Sequence, residues 1–358
     1  MSQPKTIAIF VPNWLGDLVM ATPTLRALRH HFPKPCRLIG IMRPNLAEVL
    51  AGTEWLDTQW YFNPRSKNPD ERRWALVRRM RRESLDMAIL MTNSLHTAAL
   101  AWAGGARQRI GYVGYVRCGR GPLLTTKLVP QIQSGRIVAA PVVDTYLALA
   151  EAAGCEAISR ELSLAVSPSE QSLAADAWEK LGLRTDGRVV GLNCSGAYGA
   201  AKLWPWEHFG DLARRVAEQL DHDVLVICGP AEQETARNIV KKAAHGRVFS
   251  LAEQPPSIGL SKACLARTQL VVSTDSGPRH VAAALGKPVI TLLGPTAQVW
   301  IDNPTVHGSF VSAEVDCLAC AKRVCPRGHH RCMRELSPKR VFEEVAHLLE
   351  EQKTARAA

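Results

Sequence analysis

The chain has 358 residues, 46% of them apolar and 22% charged, with 44 Lys and Arg against 33 Asp and Glu for a formal charge of +11. That length is too great for one ordinary core and suits two α/β domains of roughly 150–200 residues, while the composition excludes a disordered polypeptide. No stretch approaches the ~20 consecutive apolar residues of a membrane span. The apolar run from Thr6 to Val11 stops at Pro12, too short for a secretory signal, so the expectation is a cytoplasmic protein with reduced thiols.

In chain order, that first run has strand length and leads through Asn13-Trp-Leu-Gly-Asp17 into a helical pattern at Leu18, Ala21, Leu25 and Leu28, the opening of a parallel α/β unit. Strands are predicted from Arg37 to Met42, Asp86 to Met91 and Arg109 to Tyr112, and helices around Asn45 to Ala51, Asp70 to Arg82 and Leu95 to Ala103. The arginine pairs 72–73, 78–79 and 81–82 favour an anionic partner: nucleic acid, an acidic membrane surface or a phosphorylated substrate. A solvated helix face is the plainer alternative.

A helix from Val142 to Ala153 and a polar one from Pro168 to Leu181 carry the chain to a turn at Asp186-Gly187. Strands Val189 to Cys194, Val224 to Cys228, Leu270 to Ser273 and Val289 to Leu293 then alternate with helices Pro205 to Leu220, Glu232 to Ala244 and Pro278 to Leu285. Two successive runs of this kind predict an α/β protein of two Rossmann-like domains facing a cleft, 1–166 and 167–358.

Ligands of open α/β sheets bind beyond the carboxyl ends of the strands, which singles out three loops. In Asn13-Trp-Leu-Gly-Asp17, Asp17 has the chemistry of a general base, with helix N-capping as the plainer role. In Asn193-Cys-Ser-Gly-Ala-Tyr-Gly-Ala-Ala-Lys202, small residues let backbone amides face phosphate oxygens and Lys202 can neutralise a departing diphosphate. In Ser273-Thr-Asp-Ser-Gly-Pro-Arg-His280, a helix N-terminus offers an anion site with Arg279 and His280 as added donors. The Lys202 loop is neither a Walker nor a dinucleotide fingerprint.

Together the loops resemble those of the ADP-heptose:lipopolysaccharide heptosyltransferases, most of all heptosyltransferase II. The strongest segments are Asn13-Trp-Leu-Gly-Asp17-Leu-Val-Met-Ala-Thr-Pro, Lys202-Leu-Trp-Pro and Thr274-Asp-Ser-Gly-Pro-Arg-His280 with the Ala-rich continuation to Thr296. The resemblance implies a GT-B fold and transfer of heptose, with inversion, from ADP-L-glycero-D-manno-heptose to the first heptose of a Kdo-lipid A-type acceptor. It implies no catalytic cofactor or metal, no nucleic-acid partner, and a protein peripheral to the cytoplasmic face of the inner membrane. By position, Asp17 is implied as base and Lys202 as the diphosphate lysine. Ser195, Gly196, Thr274, Asp275, Ser276, Gly277 and His280 are implied around the donor, and Glu234 at its ribose, with Glu232 a near neighbour. Arg117, Arg120 and Lys127 are expected at acceptor carboxylates and phosphates by charge and location. The alternatives are a type I or III enzyme, a transferase of another nucleotide sugar, and a basic nucleotide- or nucleic-acid-binding protein.

Two further motifs need weighing. Asp221-His-Asp223 fits the DxD pattern of metal-dependent glycosyltransferases, but it falls at a helix-to-strand connection on the edge away from the three loops and reads as a solvated turn. Six of the ten cysteines (36, 118, 155, 194, 228 and 264) are scattered. Cys317, Cys320, Cys325 and Cys332 instead fall within sixteen residues together with His329 and His330. Structural zinc, an iron–sulfur cluster and a metal-free loop all suit that spacing.

Overall fold

The computed structural model describes residues 4–114, 119–156, 159–196 and 199–357. Contacts divide the chain into two units, Met1–Leu162 and Ser163–Ala358.

The first unit contains β1 (Thr6–Phe10), α1 (Leu15–Met20), α2 (Thr22–His31), β2 (Arg37–Met42), β3 (Thr58–Tyr61), α3 (Arg73–Glu83), β4 (Met87–Leu90), α4 (Leu95–Ala103), β5 (Gln108–Tyr112) and β6 (Thr126–Leu128). A small hairpin, β7 (Ile132–Gln133) and β8 (Arg136–Ile137), precedes α5 (Val142–Ala152). Six strands form a parallel sheet in the order β3-β2-β1-β4-β5-β6. All five residues of β1 are buried, as the central strand of a sheet covered on both faces requires. Leu76, Val77 and Met80 of α3 and Ala98, Leu100 and Ala101 of α4 complete one core cluster with Phe10, Ile39 and Leu90. Gly104 allows the close approach of these helices, since a Cβ there would lie 2.7 Å from Met80 Cε.

The second unit repeats the plan with α6 (Pro168–Leu181), β9 (Val189–Asn193), α7 (Trp206–Gln219), β10 (Asp223–Ile227), α8 (Gln233–Ala243), β11 (Val248–Ser250), α9 (Ile258–Arg267), β12 (Leu270–Thr274), α10 (Gly277–Ala284), β13 (Val289–Leu293), β14 (Gly308–Ser312), α11 (Arg331–Arg334) and α12 (Pro338–Ala357). Its parallel sheet runs β11-β10-β9-β12-β13-β14. A capping box opens α6, in which Ser167 and Glu170 serve each other's backbone N–H groups. Glu170 also pairs at 3.0 Å with Lys262, whose side chain is fully buried, and so ties α6 to α9.

The expected central strands and helices are present within a few residues of their predicted limits. The segment expected as an α-helix from Asn45 to Ala51 is a 3-10 turn, Pro44–Leu50. In each sheet the strand order reverses at one point, between β1 and β4 and between β9 and β12. Those are the places where a doubly wound sheet opens a crevice for ligand.

Candidate functional site

In the first unit the crevice forms where β1, β2 and β4 end. A pocket of about 110 Å³ opens there, lined on its polar side by Asn13, Arg43, Thr92, Ser94, His96 and Thr97, and on its apolar side by residues including Phe10, Ile41 and Phe62. Arg43 Nε donates to Asn13 Oδ1 at 3.1 Å. His96 Nε2 is buried without a hydrogen-bond partner among the described residues, and burial, followed by the charge of Arg73, holds the imidazole below its ordinary pKa.

Asp17 is not the helix cap. Trp14 holds that position with no side-chain hydrogen bond, and Asp17 lies in the first turn of α1, where a carboxylate meets the positive end of the helix dipole. Its Oδ1 accepts from the Tyr146 hydroxyl at 3.2 Å. Tyr146, 7% exposed, comes from α5, 129 residues away, and no local signal in the sequence marks it. Arg120, expected at the acceptor, is instead 3% exposed and donates to the carbonyls of Tyr112 and Thr92 at 2.6 Å each. It props the end of the β4 segment that lines the pocket. Lys127 is exposed on the edge strand β6, and Arg117 lies outside the described residues.

In the second unit Asn193, fully buried at the end of β9, knits two of the predicted loops together. Its Nδ2 donates to Ser273 Oγ at 2.9 Å and Ser276 Oγ at 2.7 Å, while its Oδ1 accepts from Ser195 Oγ at 2.9 Å. Thr274 Oγ1 closes the arrangement by donating to the Ser195 carbonyl at 2.6 Å. Ser276 is the N-cap residue of α10 and Gly277 its first residue. Across these loops Lys202 Nζ donates to the Asp275 carbonyl at 3.1 Å and to its carboxylate. Burial by itself would raise the Asp275 carboxyl, but the charge of Lys202 and hydrogen bonds from Lys202 and Thr296 outweigh it and hold the group below the usual range.

His280 Nε2 stands 3.9 Å from Asp275 Oδ1. Arg279, 2% exposed, is fixed by Thr291 Oγ1 at 2.9 Å and by the ring of Phe310, and its Nη1 lies 3.2 Å from His280 Nδ1. A guanidinium can only donate, so His280 Nδ1 accepts and Nε2 carries the proton. Burial, then repulsion from Arg279, drives the His280 pKa down to about 3. The ring is therefore a neutral donor whose N–H points to the Asp275 side.

The Lys202 loop is held from two directions. Trp204 anchors it, donating Nε1 to the Leu336 carbonyl at 2.9 Å and packing edge-on against Phe209. The carbonyl of Arg323, within the cysteine segment, accepts from Ala201 N at 3.0 Å and leaves no room for a side chain at Gly199, where a Cβ would sit 2.4 Å from that oxygen. Gly196 is similarly confined by Leu203. The cysteine segment thus buttresses the lysine loop.

The thiols of that segment lie within electrostatic reach of one another, since Cys317, Cys320 and Cys325 all act on Cys332. Backbone N–H groups, that of His330 foremost, converge on Cys325 and lower its pKa, while burial raises that of Cys332. Among the described residues no group of three or more His, Cys, Asp or Glu side chains is disposed to hold a metal ion. Cys317, Cys320, Cys325 and Cys332, for which structural zinc is one of three open readings, form no such group in this arrangement.

Glu232 accepts from Gly229 N at 3.1 Å and caps its own turn, leaving Glu234, exposed in the first turn of α8, as the outward carboxylate. Asp221 forms ion pairs with Arg184, Arg188 and Arg247. Asp223 is buried and accepts from Arg184 N at 2.9 Å, so the turn is more ordered than a solvated one. It lies at the start of β10, the edge opposite the Lys202 and Asp275 loops.

The comparisons with known proteins agree with this arrangement. The family model for glycosyltransferase family 9 (heptosyltransferase) matches residues 73–331. Lipopolysaccharide heptosyltransferase 2 of Escherichia coli strain K12 is 25% identical over 96% of this chain and 98% of its own length, and that of Salmonella typhimurium strain LT2 is 26% identical over 97% and 99%. Among solved structures, a family 9 glycosyl transferase from Veillonella parvula has a TM-score of 0.80 at 21% identity, covering 97% of both chains. The E. coli ADP-heptose LPS heptosyltransferase II has a TM-score of 0.76 at 23% identity, covering 97% of this chain and 99% of that one. These likenesses show the fold to be the GT-B class of paired Rossmann-like domains. With the family model spanning more than half its length, the chain belongs to glycosyltransferase family 9, the heptosyltransferases.

Proposed function

We propose that this enzyme transfers heptose from ADP-L-glycero-D-manno-heptose to the first heptose of the lipopolysaccharide inner core. The observation that carries this reading is the ion pair of Lys202 with Asp275 beside the N-terminus of α10. It sets a cation and helix amides together at the switch point of the second sheet, where a nucleotide diphosphate would be neutralised. The full-length similarity to proteins named heptosyltransferase 2 supports the choice of sugar and acceptor.

In the proposed reaction Asp17 takes the proton of an acceptor hydroxyl as its oxygen attacks the anomeric carbon. The bond from that carbon to the diphosphate breaks on the opposite face, and ADP leaves with the electron pair, which inverts the centre. Lys202 and the α10 amides stabilise the charge that develops on the leaving oxygen. Ser195, Gly196, Thr274, Ser276 and Gly277 shape the donor loops, Glu234 takes the ribose hydroxyls, and the pocket at Arg43 and His96 receives the acceptor. We assign no step to a metal.

The test is ADP release from ADP-heptose with an acceptor that ends in one heptose, against an acceptor that lacks it. Release only with the first supports the proposal. Release only with the second replaces it with type I activity, and release with neither removes the heptosyl reading. Turnover is expected to persist in EDTA. The proposed location is the cytoplasmic face of the inner membrane, where the lipid-linked acceptor is made; no described helix is long and apolar enough to cross a membrane, so attachment would be peripheral.

A further inference from the structure

The two most exposed indoles of the first unit are Trp74, 76% exposed, and Trp102, 60%. Scattered exposed apolar side chains are ordinary, but a large aromatic left this open to water points to a surface that is covered in use. Both belong to helical stripes. On α3, Trp74, Arg78 and Arg81 follow one another at i, i+4 and i+7 and so share a face, turned from the buried Leu76 and Met80. On α4, Leu95, Ala99 and Trp102 have the same spacing and lie opposite the buried Thr97 and Leu100. The stripes are neighbours, because Arg81 Nε donates to the Ala103 carbonyl at 2.8 Å.

The charge around the indoles is of one sign. Six arginines fall between positions 72 and 82, all of them exposed. Glu83, at the end of the helix, is engaged by Arg37. Among the described residues none of the six arginines has a carboxylate within salt-bridge distance. Indoles seat at the headgroup level of a bilayer and guanidinium groups bind lipid phosphates, so one face holds both halves of an interfacial anchor. Position supports the same partner. The N-termini of α3 and α4 lie at the sheet edge that carries the pocket, and His96 of α4 lines that pocket within electrostatic reach of Arg73.

We propose that the α3/α4 face rests on an anionic phospholipid bilayer, with the pocket at its rim turned to a lipid-linked acceptor. The orientation toward acceptor rests on the proposed function; the lipid contact does not.

The experiment is co-sedimentation of the full chain with vesicles of phosphatidylethanolamine and phosphatidylglycerol, and with vesicles of phosphatidylcholine alone. The variants are Trp74→Ser with Trp102→Ser, and Arg78→Glu with Arg79→Glu. Each basic residue near an anionic leaflet is worth about fivefold in partition. Both variant pairs are expected to lower binding to the anionic vesicles at least tenfold, to bind the neutral vesicles weakly like the parent, and to keep turnover of a delipidated acceptor within twofold. Retained turnover also shows that the variants fold. Variants that partition as the parent does overturn the proposal, as does a parent that binds both vesicle types equally. Loss of binding to a short DNA duplex with vesicle binding intact overturns it in favour of a nucleic-acid surface. Failure of the parent to turn over the delipidated acceptor removes the heptosyl reading and leaves the vesicle result to stand by itself.

Discussion

The Tyr146 hydroxyl lies 3.2 Å from Asp17 Oδ1, so a side chain at the end of the first unit's fold orients a carboxylate near its beginning. If Asp17 is the base, its replacement by Ala lowers kcat about 10²–10⁴-fold while ADP still binds. Tyr146→Phe keeps the ring packing but loses the hydrogen bond, and is expected to lower kcat about tenfold with little change in KM. Turnover near the parental rate in Asp17→Ala removes Asp17 from the mechanism.

Lys202 and Asp275 form a buried pair, so two effects of changing the lysine must be separated. Lys202→Met is expected to reduce kcat about 10²–10³-fold through lost stabilisation of the leaving diphosphate. It also strands the Asp275 carboxylate, at a cost of about 3–5 kcal/mol. Adding Asp275→Asn should restore much of the stability and none of the lost rate. Recovery of both together, measured by thermal melts and ADP release, would reduce Lys202 to a structural role.

Acid sensitivity follows from the same cluster. His280 has its pKa moved from 6.5 to about 3 by burial, so between those values the unfolded chain binds a proton that the folded ring refuses. Stability attributable to His280 is therefore full above 6.5 and falls as the pH drops toward 3, with a limiting slope of about 1.4 kcal/mol per pH unit. Asp275 is held below 3.8; its contribution is present above that value and is lost only as the pH falls through its lower folded pKa. Melting temperatures between about pH 7.5 and 5 should fall for the parent and flatten in His280→Gln. Parallel curves would contradict this assignment.

Gly199 has an extended backbone, with φ at 161°, that any residue can adopt, so only space restricts it. A Cβ would meet the Arg323 carbonyl at 2.4 Å. Gly199→Ala is expected to push the lysine loop off the cysteine segment, at a cost of about 1–3 kcal/mol, and to lower kcat more than it raises the KM for ADP-heptose. Unchanged kinetics would mean that the loop moves without carrying Lys202 with it.

What could be read from the residues was what local order encodes. The central strands β1, β9 and β12 are fully buried runs because both their faces are covered, and the loops after them carry Asp17, Lys202 and Asp275 in the turn chemistry of a parallel sheet. Within the two six-stranded sheets, the strands not predicted, β3, β6, β11 and β14, are the four edges. They are short and only partly buried, so their apolar signal is weak and their pairing depends on a neighbour already in place. The limit applies to side chains as well. Arg120 looks like a free surface cation until the Tyr112 and Thr92 carbonyls close around it, and Tyr146 is an ordinary helical aromatic until α5 returns to α1. Periodicity and turn chemistry act over a few residues and are written in the sequence itself. Which donor meets which acceptor across 129 residues is decided only when packing brings distant backbone together and excludes the water that would otherwise satisfy both.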